Sequence, residues 1–408
     1  MTAREYPVFT VTPKAERSLR AVHPWVYGEE VTVVEGAYQN GDMVDVVSNK
    51  GRYLGTGWVN DHSKIRVRII SRNANDTFDE AFFRRRVCYA LNYRKTVMGP
   101  VDYRCCRLIF GEADQFPGLT VDRFENILVT QVLSLGMERR KDWVYRALVE
   151  LLREDGEQID AIYERNDVTI RTLEGLEQGK GFYQMEGLRT DLSGHVTITE
   201  NGIKYDVDYI EGQKTGFFLD QKYNRQAAAK LARGRRVLDC FTHTGAFALN
   251  AAAAGAEHVT AVDVSAFALE LAAENGKRNG LTNLDYKCAD VFDLLTEMAK
   301  EKKCDYDYII LDPPAFTKSR ATAKNAYHGY KEINRKAMRL LPRGGYLATC
   351  SCSHFMTDEM FRKMLREAAL DAGVTLRQIE ARQQAPDHPI LPEVPETDYL
   401  KFYLLQVV

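Results

Sequence analysis

Residues 237–263, VLDCFTHTGAFALNAAAAGAEHVTAVD, decide the fold of this chain. They contain an apolar run that ends near Asp239, a short loop with Gly245, an alanine-rich helical stretch, and a second apolar run that ends at Asp263. Strand-length apolar runs that alternate with helices are typical of parallel sheets, because helices cover both faces of such sheets. The stretch therefore predicts a β–α–β unit.

The same alternation extends over much of the C-terminal half. Further strands are predicted in LDYKCAD, YDYIILD and GGYLATCSCS, with helices near 324–341 and from about 357. Repeated units of this kind predict an α/β fold, a doubly wound, mostly parallel, Rossmann-like sheet with helices on both faces. We place this domain at 191–408, and we expect its opening hairpin to turn at Asn201-Gly202.

The N-terminal half reads differently. Short β-like runs separated by turn residues predict a small β-barrel over 1–75. A polar linker at 71–80 and an α+β middle domain over 76–190 are expected to follow. In KIRVRII the side chains of Lys64, Arg66 and Arg68 alternate onto one strand face, where they would either contact phosphates or form an ordinary solvated face.

Composition excludes several classes of protein. The chain has 408 residues, a formal net charge of −2 and 45% apolar content, which is typical of a soluble globular protein and not of a strongly basic nucleic-acid binder. We see no apolar signal-peptide core and no stretch long enough to cross a membrane, so we expect a cytoplasmic protein. The eight cysteines show no CxxC pair, so neither a zinc site nor a disulfide framework is expected.

Ligands of such sheets bind beyond the carboxyl ends of the strands, where three acids follow predicted strands. The loop after Asp239 lacks both a dinucleotide fingerprint and a phosphate loop, which favours a cofactor without a pyrophosphate. Asp263 is placed to accept hydrogen bonds from a ribose, or else to cap the helix that follows Ser265. Asp290, after the third strand, could meet an adenine amine.

The most specific signal is ILDPPAF, residues 310–316. Asp312 follows an apolar strand and precedes Pro313, Pro314 and, after one residue, Phe316. Prolines end a strand in a rigid turn. The turn presents a carboxylate, local carbonyls and an aromatic face together, which can hold a flat heteroaromatic ring.

These motifs carry a resemblance to a known family. LDCFTHTGAFAL, AVDVS, CADVF and LDPPAF resemble the ordered motifs of class I S-adenosylmethionine-dependent methyltransferases. The whole chain is similar to the ribosomal RNA large subunit methyltransferase I group, which makes 5-methylcytosine in 23S rRNA. Within that group RSLRAVHPWVYGEEV resembles the start of an RNA-binding PUA domain, DQFPGLTVDRFENILVTQ the middle domain, and IEGQKTGFFLDQKYNR a segment that lines the cofactor pocket.

The resemblance implies S-adenosylmethionine as cofactor and large-subunit rRNA as partner. It implies a set of cofactor-binding residues, which are Asp239, Phe241, Thr242, Gly245, Asp263, Ser265, Asp290, Lys214, Phe217 and Asp220. The Asp-Pro-Pro turn would meet the base to be methylated. A homodimer is compatible with the sequence, which does not determine the oligomeric state.

Two cysteines, Cys350 and Cys352, lie in the strand that follows the Asp-Pro-Pro turn. Strand alternation would place both on one face, with Cys352 nearer the carboxyl end. Methylation of cytosine at carbon 5 requires a thiolate to add at carbon 6. Both position and resemblance indicate Cys352 as this nucleophile, with Cys350 as packing. No cysteine occupies the Asp-Pro-Pro turn, so the residue that removes the carbon 5 proton stays open, with Asp312 the nearest candidate.

Two other functions fit the same motifs. A guanine methyltransferase with the Asp-Pro-Pro-aromatic turn would modify an exocyclic amine or ring nitrogen and would need no cysteine. An RNA-binding assembly factor without catalysis is the alternative of a different class, although the cofactor acids argue against it. His328, His354 and His388 are interpreted as structural or RNA-contacting.

Overall fold

The computed structural model describes residues 5–301, 304–317 and 322–408. The chain divides into two compact units, and residues before 199 form most of unit 1, together with 207–219 and 386–397. Unit 2 consists of 199–206, 220–385 and 398–408. Three segments of the predicted C-terminal domain, residues 191–198, 207–219 and 386–397, therefore belong to unit 1. No helix in the described ranges combines the length and apolar character that a membrane span requires.

Unit 1 begins with a six-stranded sheet in the order β2-β6-β5-β4-β1-β3. Its strands are β1 (Val8–Val11), β2 (Trp25–Tyr27), β3 (Val31–Glu35), β4 (Met43–Ser48), β5 (Tyr53–Val59) and β6 (Ile65–Ser71), with helix α1 (Pro13–Arg20) after β1. Alternate side chains such as Phe9, Val46 and Val67 are fully buried in one core. This is the small β domain predicted for 1–75, with an additional helix.

A second sheet of five strands completes unit 1, in the order β11-β10-β9-β8-β7. Its elements are α2 (Glu80–Val97), β7 (Cys105–Phe110), β8 (Leu119–Phe124), β9 (Ile127–Val132), α3 (Leu135–Glu138), α4 (Lys141–Glu154), β10 (Ala161–Arg165) and β11 (Lys180–Phe182). Asp79 caps α2, because its carboxylate accepts from the backbone N–H of Phe82 at 3.0 Å.

The predicted hairpin is present as β12 (His195–Glu200) and β13 (Ile203–Asp208). Asn201 and Gly202 have φ values of 53° and 80°. Two consecutive residues in the left-handed region match a two-residue hairpin turn, which explains the Asn-Gly pair.

Unit 2 is built on a seven-stranded sheet in the order β16-β15-β14-β17-β18-β20-β19. The elements, in chain order, are α5 (Lys222–Ala229), β14 (Arg236–Cys240), α6 (Ala246–Ala253), β15 (His258–Asp263), α7 (Ala266–Arg278), β16 (Leu284–Cys288), α8 (Val291–Glu301), β17 (Tyr308–Leu311), α9 (Ala323–Leu340), β18 (Tyr346–Ser351), α10 (Asp358–Ala372), β19 (Leu376–Arg382) and β20 (Lys401–Val407). The first five strands of the order are parallel, and β20 is antiparallel to both of its neighbours. The doubly wound sheet is confirmed, and β19 and β20 are two strands that the sequence analysis did not identify.

Both faces of this sheet are buried. One face holds a core with Cys350, Phe402 and alanines of α5 and α6, and the other holds a core with Leu347, Tyr403 and residues of α8, α9 and α10. The strand order reverses between β14 and β17, so ligands are expected beyond the carboxyl ends of these two strands.

Candidate active site

The loop after β14 has an unusual backbone. Phe241 and His243 have φ values of 64° and 50°, and Gly245, at the start of α6, has 82°. Non-glycine residues in this region are strained, and such strain concentrates at functional sites. A side chain at Gly245 would lie 2.9 Å from the Cβ of Ala272 in α7, so only glycine fits there.

The carboxylate of Asp239 accepts hydrogen bonds from this loop and from α6. Its Oδ2 accepts from the Thr242 hydroxyl at 2.5 Å and from the Ala248 N–H at 2.9 Å. Its Oδ1 is buried and has no hydrogen-bond partner among the described residues. Burial raises the pKa of Asp239 to about 7, and the nearby charge of Asp312 adds to the shift. A buried acceptor without a donor is costly, so this oxygen is suited to a polar or cationic ligand.

Asp263 joins two loops at the end of β15. Its two carboxylate oxygens each accept a backbone N–H at 2.9 Å, from His243 and from Ser265. The cap of α7 is Ser265, whose hydroxyl accepts from the Ala268 N–H at 3.2 Å. The capping alternative for Asp263 is therefore taken by Ser265, and each Asp263 oxygen keeps acceptor capacity for a ligand.

Asp290 is exposed after β16. Its Oδ1 accepts from the N–H groups of Phe292 at 2.7 Å and Asp293 at 3.2 Å, which makes it the cap of α8. The structure thus gives Asp290 a local capping role, while its other oxygen remains available for the predicted adenine contact.

Asp312 is held by Gln221, which was not selected from the sequence. Gln221 donates from Nε2 to Asp312 Oδ1 at 3.0 Å. Burial raises the pKa of Asp312 to about 6, with a further contribution from the charge of Asp220. Asp220 is itself buried and accepts from the Tyr399 hydroxyl at 2.6 Å. A carboxyl group with a pKa near 6 can exchange a proton close to neutral pH.

Cys350 lies beside Asp312. β17 and β18 pair in register, Leu311 opposite Thr349, so the next residues, Asp312 and Cys350, are neighbours. Burial, together with the charge of Asp312, raises the pKa of Cys350 well above its usual value. Cys350 is fully buried in one core of the sheet, and its assignment as a packing residue stays a prediction.

Cys352 occupies a different environment. β18 ends at Ser351, so Cys352 lies in the loop beyond the strand, and the expected same-face alternation with Cys350 does not extend to it. The residue is half-buried, and its Sγ is 4.0 Å from the carbonyl oxygen of Pro313. The next residue, Ser353, donates from its hydroxyl to the Thr317 carbonyl at 3.1 Å. These contacts bring the cysteine loop against the Asp-Pro-Pro turn.

Phe316 is part of an aromatic cluster. Its ring centroid is 4.5 Å from that of Tyr330 and 5.8 Å from that of Phe292. In the turn itself, Pro313 is buried and Pro314 is exposed. Stacking of Phe316 on a base stays a prediction. Only the part of its ring outside this cluster would be available for it.

The remaining predicted residues of the site belong to unit 1. Lys214 is exposed with its Nζ 4.6 Å from the Phe218 ring centroid, and Phe217 is buried. Their assignment to the cofactor stays a prediction from the resemblance.

The three basic residues predicted to contact phosphates, Lys64, Arg66 and Arg68, differ in their surroundings. Arg68 binds Glu112 at 3.3 Å and Glu174 at 2.8 Å, and its side chain is 11% exposed. Its charge is therefore compensated within unit 1, and the phosphate contact expected of it is not supported. Arg66 likewise binds Asp61 at 2.8 Å, whereas Lys64 is exposed.

The three histidines interpreted as structural or RNA-contacting lie in different surroundings. His388 is buried in unit 1, where its Nδ1 is 2.9 Å from Asp387 Oδ1 and its ring packs on Phe110. His328 is exposed on α9, and His354 is half-buried after Cys352.

The residues at the carboxyl ends of β14 and β15 fit the implied cofactor. S-adenosylmethionine carries a sulfonium and an ammonium charge, and the orphaned Oδ1 of Asp239 offers an anionic acceptor. Asp263 adds two oxygens with spare lone pairs, as ribose hydroxyls require.

Replacing Asp263 with asparagine is expected to weaken S-adenosylhomocysteine binding about tenfold or more, because one of the two backbone N–H donors would face an amide NH₂ and a charged acceptor would be lost. Isothermal titration calorimetry measures this affinity. Asp285→Asn makes the same change on the neighbouring strand, at an exposed residue, and is the matched control. Equal affinities for both variants would remove Asp263 from the cofactor site.

Sequence reasoning missed Gln221, although it lies in the quoted block FFLDQKYNR beside Asp220. It also missed Lys401, a single lysine inside the apolar run YLKFYLLQVV. A charged residue within a strand-like apolar run was the signal that could have identified it.

Comparisons with known proteins agree with this geometry. A family model described as "S-adenosylmethionine-dependent methyltransferase" matches residues 183–405, and one described as "PUA-like domain" matches 9–72. A protein from Streptococcus mutans described as a SAM-dependent methyltransferase has the same fold, with a TM-score of 0.81 at 22% identity over 98% of this chain and 100% of its own. A methyltransferase structure in complex with SAH gives a TM-score of 0.82 at 22% identity and the same coverage.

Curated relatives cover the chain almost completely. The ribosomal RNA large subunit methyltransferase I of Pseudoalteromonas atlantica is 40% identical over 98% of this chain and 99% of its own length. The protein of that name from Shewanella denitrificans is 42% identical over 97% and 98%. The chain therefore belongs to the ribosomal RNA large subunit methyltransferase I family of S-adenosylmethionine-dependent methyltransferases.

Proposed function

We propose that this protein methylates carbon 5 of a cytosine in large-subunit 23S rRNA, with Cys352 as the covalent nucleophile. The observation that carries the proposal is the position of the Cys352 thiol, 4.0 Å from the carbonyl of the Asp-Pro-Pro turn. A half-buried thiol beside a turn suited to a flat ring is what attack on that ring requires. Cys350, which is fully buried, lacks that access.

The chemistry explains why a cysteine is needed. Carbon 5 of cytosine is a poor nucleophile until a thiolate adds at carbon 6 and forms an enamine-like ring. When bound, S-adenosylmethionine would supply an electrophilic methyl group to carbon 5 of this ring, with S-adenosylhomocysteine as the leaving group. A base then takes the carbon 5 proton, the electrons of that C–H bond restore the ring double bond, and the carbon 6–sulfur bond breaks to release the thiolate.

Asp312 is the acid best placed to serve this sequence. Gln221 holds its carboxyl group, and its pKa of about 6 leaves it largely ionised at pH 7. It can either bind the base edge or accept the carbon 5 proton.

The RNA substrate rests on two findings. The PUA-like match at 9–72 is consistent with an RNA-binding domain, and the relatives are named as ribosomal RNA large subunit methyltransferases. Lys64 is the residue of the predicted strip that keeps an exposed cationic side chain.

Identification of the product tests the proposal. Undermethylated large-subunit rRNA is incubated with the protein and S-adenosylmethionine, digested to nucleosides and analysed by mass spectrometry. We expect 5-methylcytidine as the new nucleoside. A methylated guanosine would instead favour the cysteine-independent alternative, and absence of any product despite S-adenosylhomocysteine binding would favour the non-catalytic one.

A further inference from the structure

Lys401 is a buried cation that no step above uses. It begins β20, pairs with Ser351 of β18, and is 4% exposed. Its Nζ donates to the carbonyl oxygens of Ser353 at 2.7 Å and Tyr399 at 2.8 Å. Both of these contacts are to uncharged backbone carbonyl groups and not to a carboxylate.

An ammonium buried without a paired carboxylate is unfavourable, because it loses hydration without a full charge in return. Burial lowers the pKa of Lys401 to about 8. Three groups oppose this shift, and they come from three elements packed around the ammonium: Asp398 before β20, Cys352 after β18, and Asp358 at the start of α10. Cys352 is the one of these that becomes charged during the proposed reaction.

We propose that Lys401 is a positioning residue for Cys352, whose ammonium holds the loop after β18 and favours the thiolate form of the nucleophile. This inference rests on the proposed function. The hydrogen bond to Ser353 fixes the residue that follows Cys352, and Ser353 is fixed a second time by its own bond to Thr317. The loop therefore presents Cys352 to the Asp-Pro-Pro turn in one orientation.

The expected effect of Lys401 on the Cys352 thiol follows from the positive charge of its ammonium group. A free thiol has a pKa of ~8.5 and is only a few per cent ionised at pH 7. A neighbouring cation favours the thiolate, and the thiol proton then leaves to solvent. Among the described residues, Tyr330 of α9 and Cys350 of β18 also interact electrostatically with Cys352, and both are neutral at this pH. Lys401 adds a positive charge to these neutral groups, and it stays charged below about pH 8.

The reactivity of Cys352 with iodoacetamide tests this inference without requiring methyl transfer. Alkylation of each cysteine is followed by mass spectrometry of peptides between pH 6 and 10, in the full-length protein without RNA. We expect Cys352 to titrate below the value of an ordinary thiol in the wild type. In Lys401→Met, which removes the charge at similar volume, alkylation at pH 7 is expected to be about tenfold slower.

Two further variants complete the design. Lys401→Arg keeps the charge and is expected to recover most of the reactivity. Lys336→Met changes a half-buried lysine of unit 2, one that binds Glu332, and is expected to leave Cys352 unchanged.

Each outcome bears on the inference. A wild-type Cys352 that titrates at or above an ordinary thiol overturns it, whether or not Lys401→Met folds. Equal alkylation rates in Lys401→Met and wild type overturn it as well. If the thiol shift is present but Cys352→Ala still methylates RNA, the positioning role stands and the proposed covalent function fails, so the two failures are distinguishable.

Discussion

Replacing Cys352 with alanine is expected to lower the rate of 5-methylcytidine formation by at least about a thousandfold, because removal of a covalent nucleophile leaves only binding and orientation to act on the substrate. Cofactor binding is expected to remain, since Cys352 follows β18 whereas Asp239 and Asp263 end β14 and β15. Single-turnover methyl transfer to rRNA measures the rate, and titration with S-adenosylhomocysteine measures the binding.

A trapping experiment makes the role of the thiol visible directly. RNA that contains 5-fluorocytidine carries fluorine where the proton must leave, so the adduct cannot resolve and the protein stays bound to RNA in denaturing gels. Wild type is expected to give this band and Cys352→Ala to lack it. Cys304→Ala, at another half-buried cysteine of unit 2, is the matched control and should trap normally. A band of full intensity in Cys352→Ala would contradict the covalent mechanism.

Replacing Asp312 with asparagine is expected to lower methyl transfer by about 10² to 10⁴, the range found for general acid–base groups. If Asp312 accepts the carbon 5 proton, the variant should also accumulate a covalent adduct with ordinary cytosine RNA, because the steps before proton removal can still occur. If it only binds the base edge, activity falls without adduct. Asp293→Asn, at an exposed acid of α8, should retain full activity.

The pH dependence of wild-type methyl transfer also tests the role of Asp312. The pKa of Asp312 is raised to about 6, so its carboxylate forms as the pH rises through that value. A role as base requires the ionised form, and activity is therefore expected to increase through about pH 6, with a further increase at higher pH as the Cys352 thiol ionises. Asp239, with a pKa of about 7, can add a second rise through cofactor affinity, which separate titration of cofactor binding removes. A profile that stays flat between pH 5 and 8, with an active Asp312→Asn, would exclude Asp312 as the base.

Several features of the fold and the site could be predicted because they depend on residues close together in the sequence. Apolar runs that alternate with helical stretches predicted the sheet of unit 2, and Asn201-Gly202 predicted a hairpin through its left-handed turn. Acids at strand ends were found at Asp239, Asp263 and Asp312 because a parallel sheet brings the carboxyl ends of its strands to one edge. Strands β19 and β20 were missed, since they add to the sheet in antiparallel orientation after the regular alternation has ended.

Other features depend on contacts between residues far apart in the chain. Arg68 looked like a phosphate ligand until Glu112 and Glu174 were found beside it. The register of β17 and β18 places the buried Cys350 beside Asp312, a proximity that the sequence analysis did not identify.

By itself, the sequence determined the parallel part of the sheet of unit 2, the strand-end acids and the order of an Asp-Pro-Pro turn and a cysteine loop along the chain, because hydrophobic periodicity and proline geometry act over a few residues. Only the tertiary structure decided which charges are compensated and which thiol is accessible. The reason is that Arg68, Cys352 and Lys401 contact residues far away in the chain, which come together only when the chain folds.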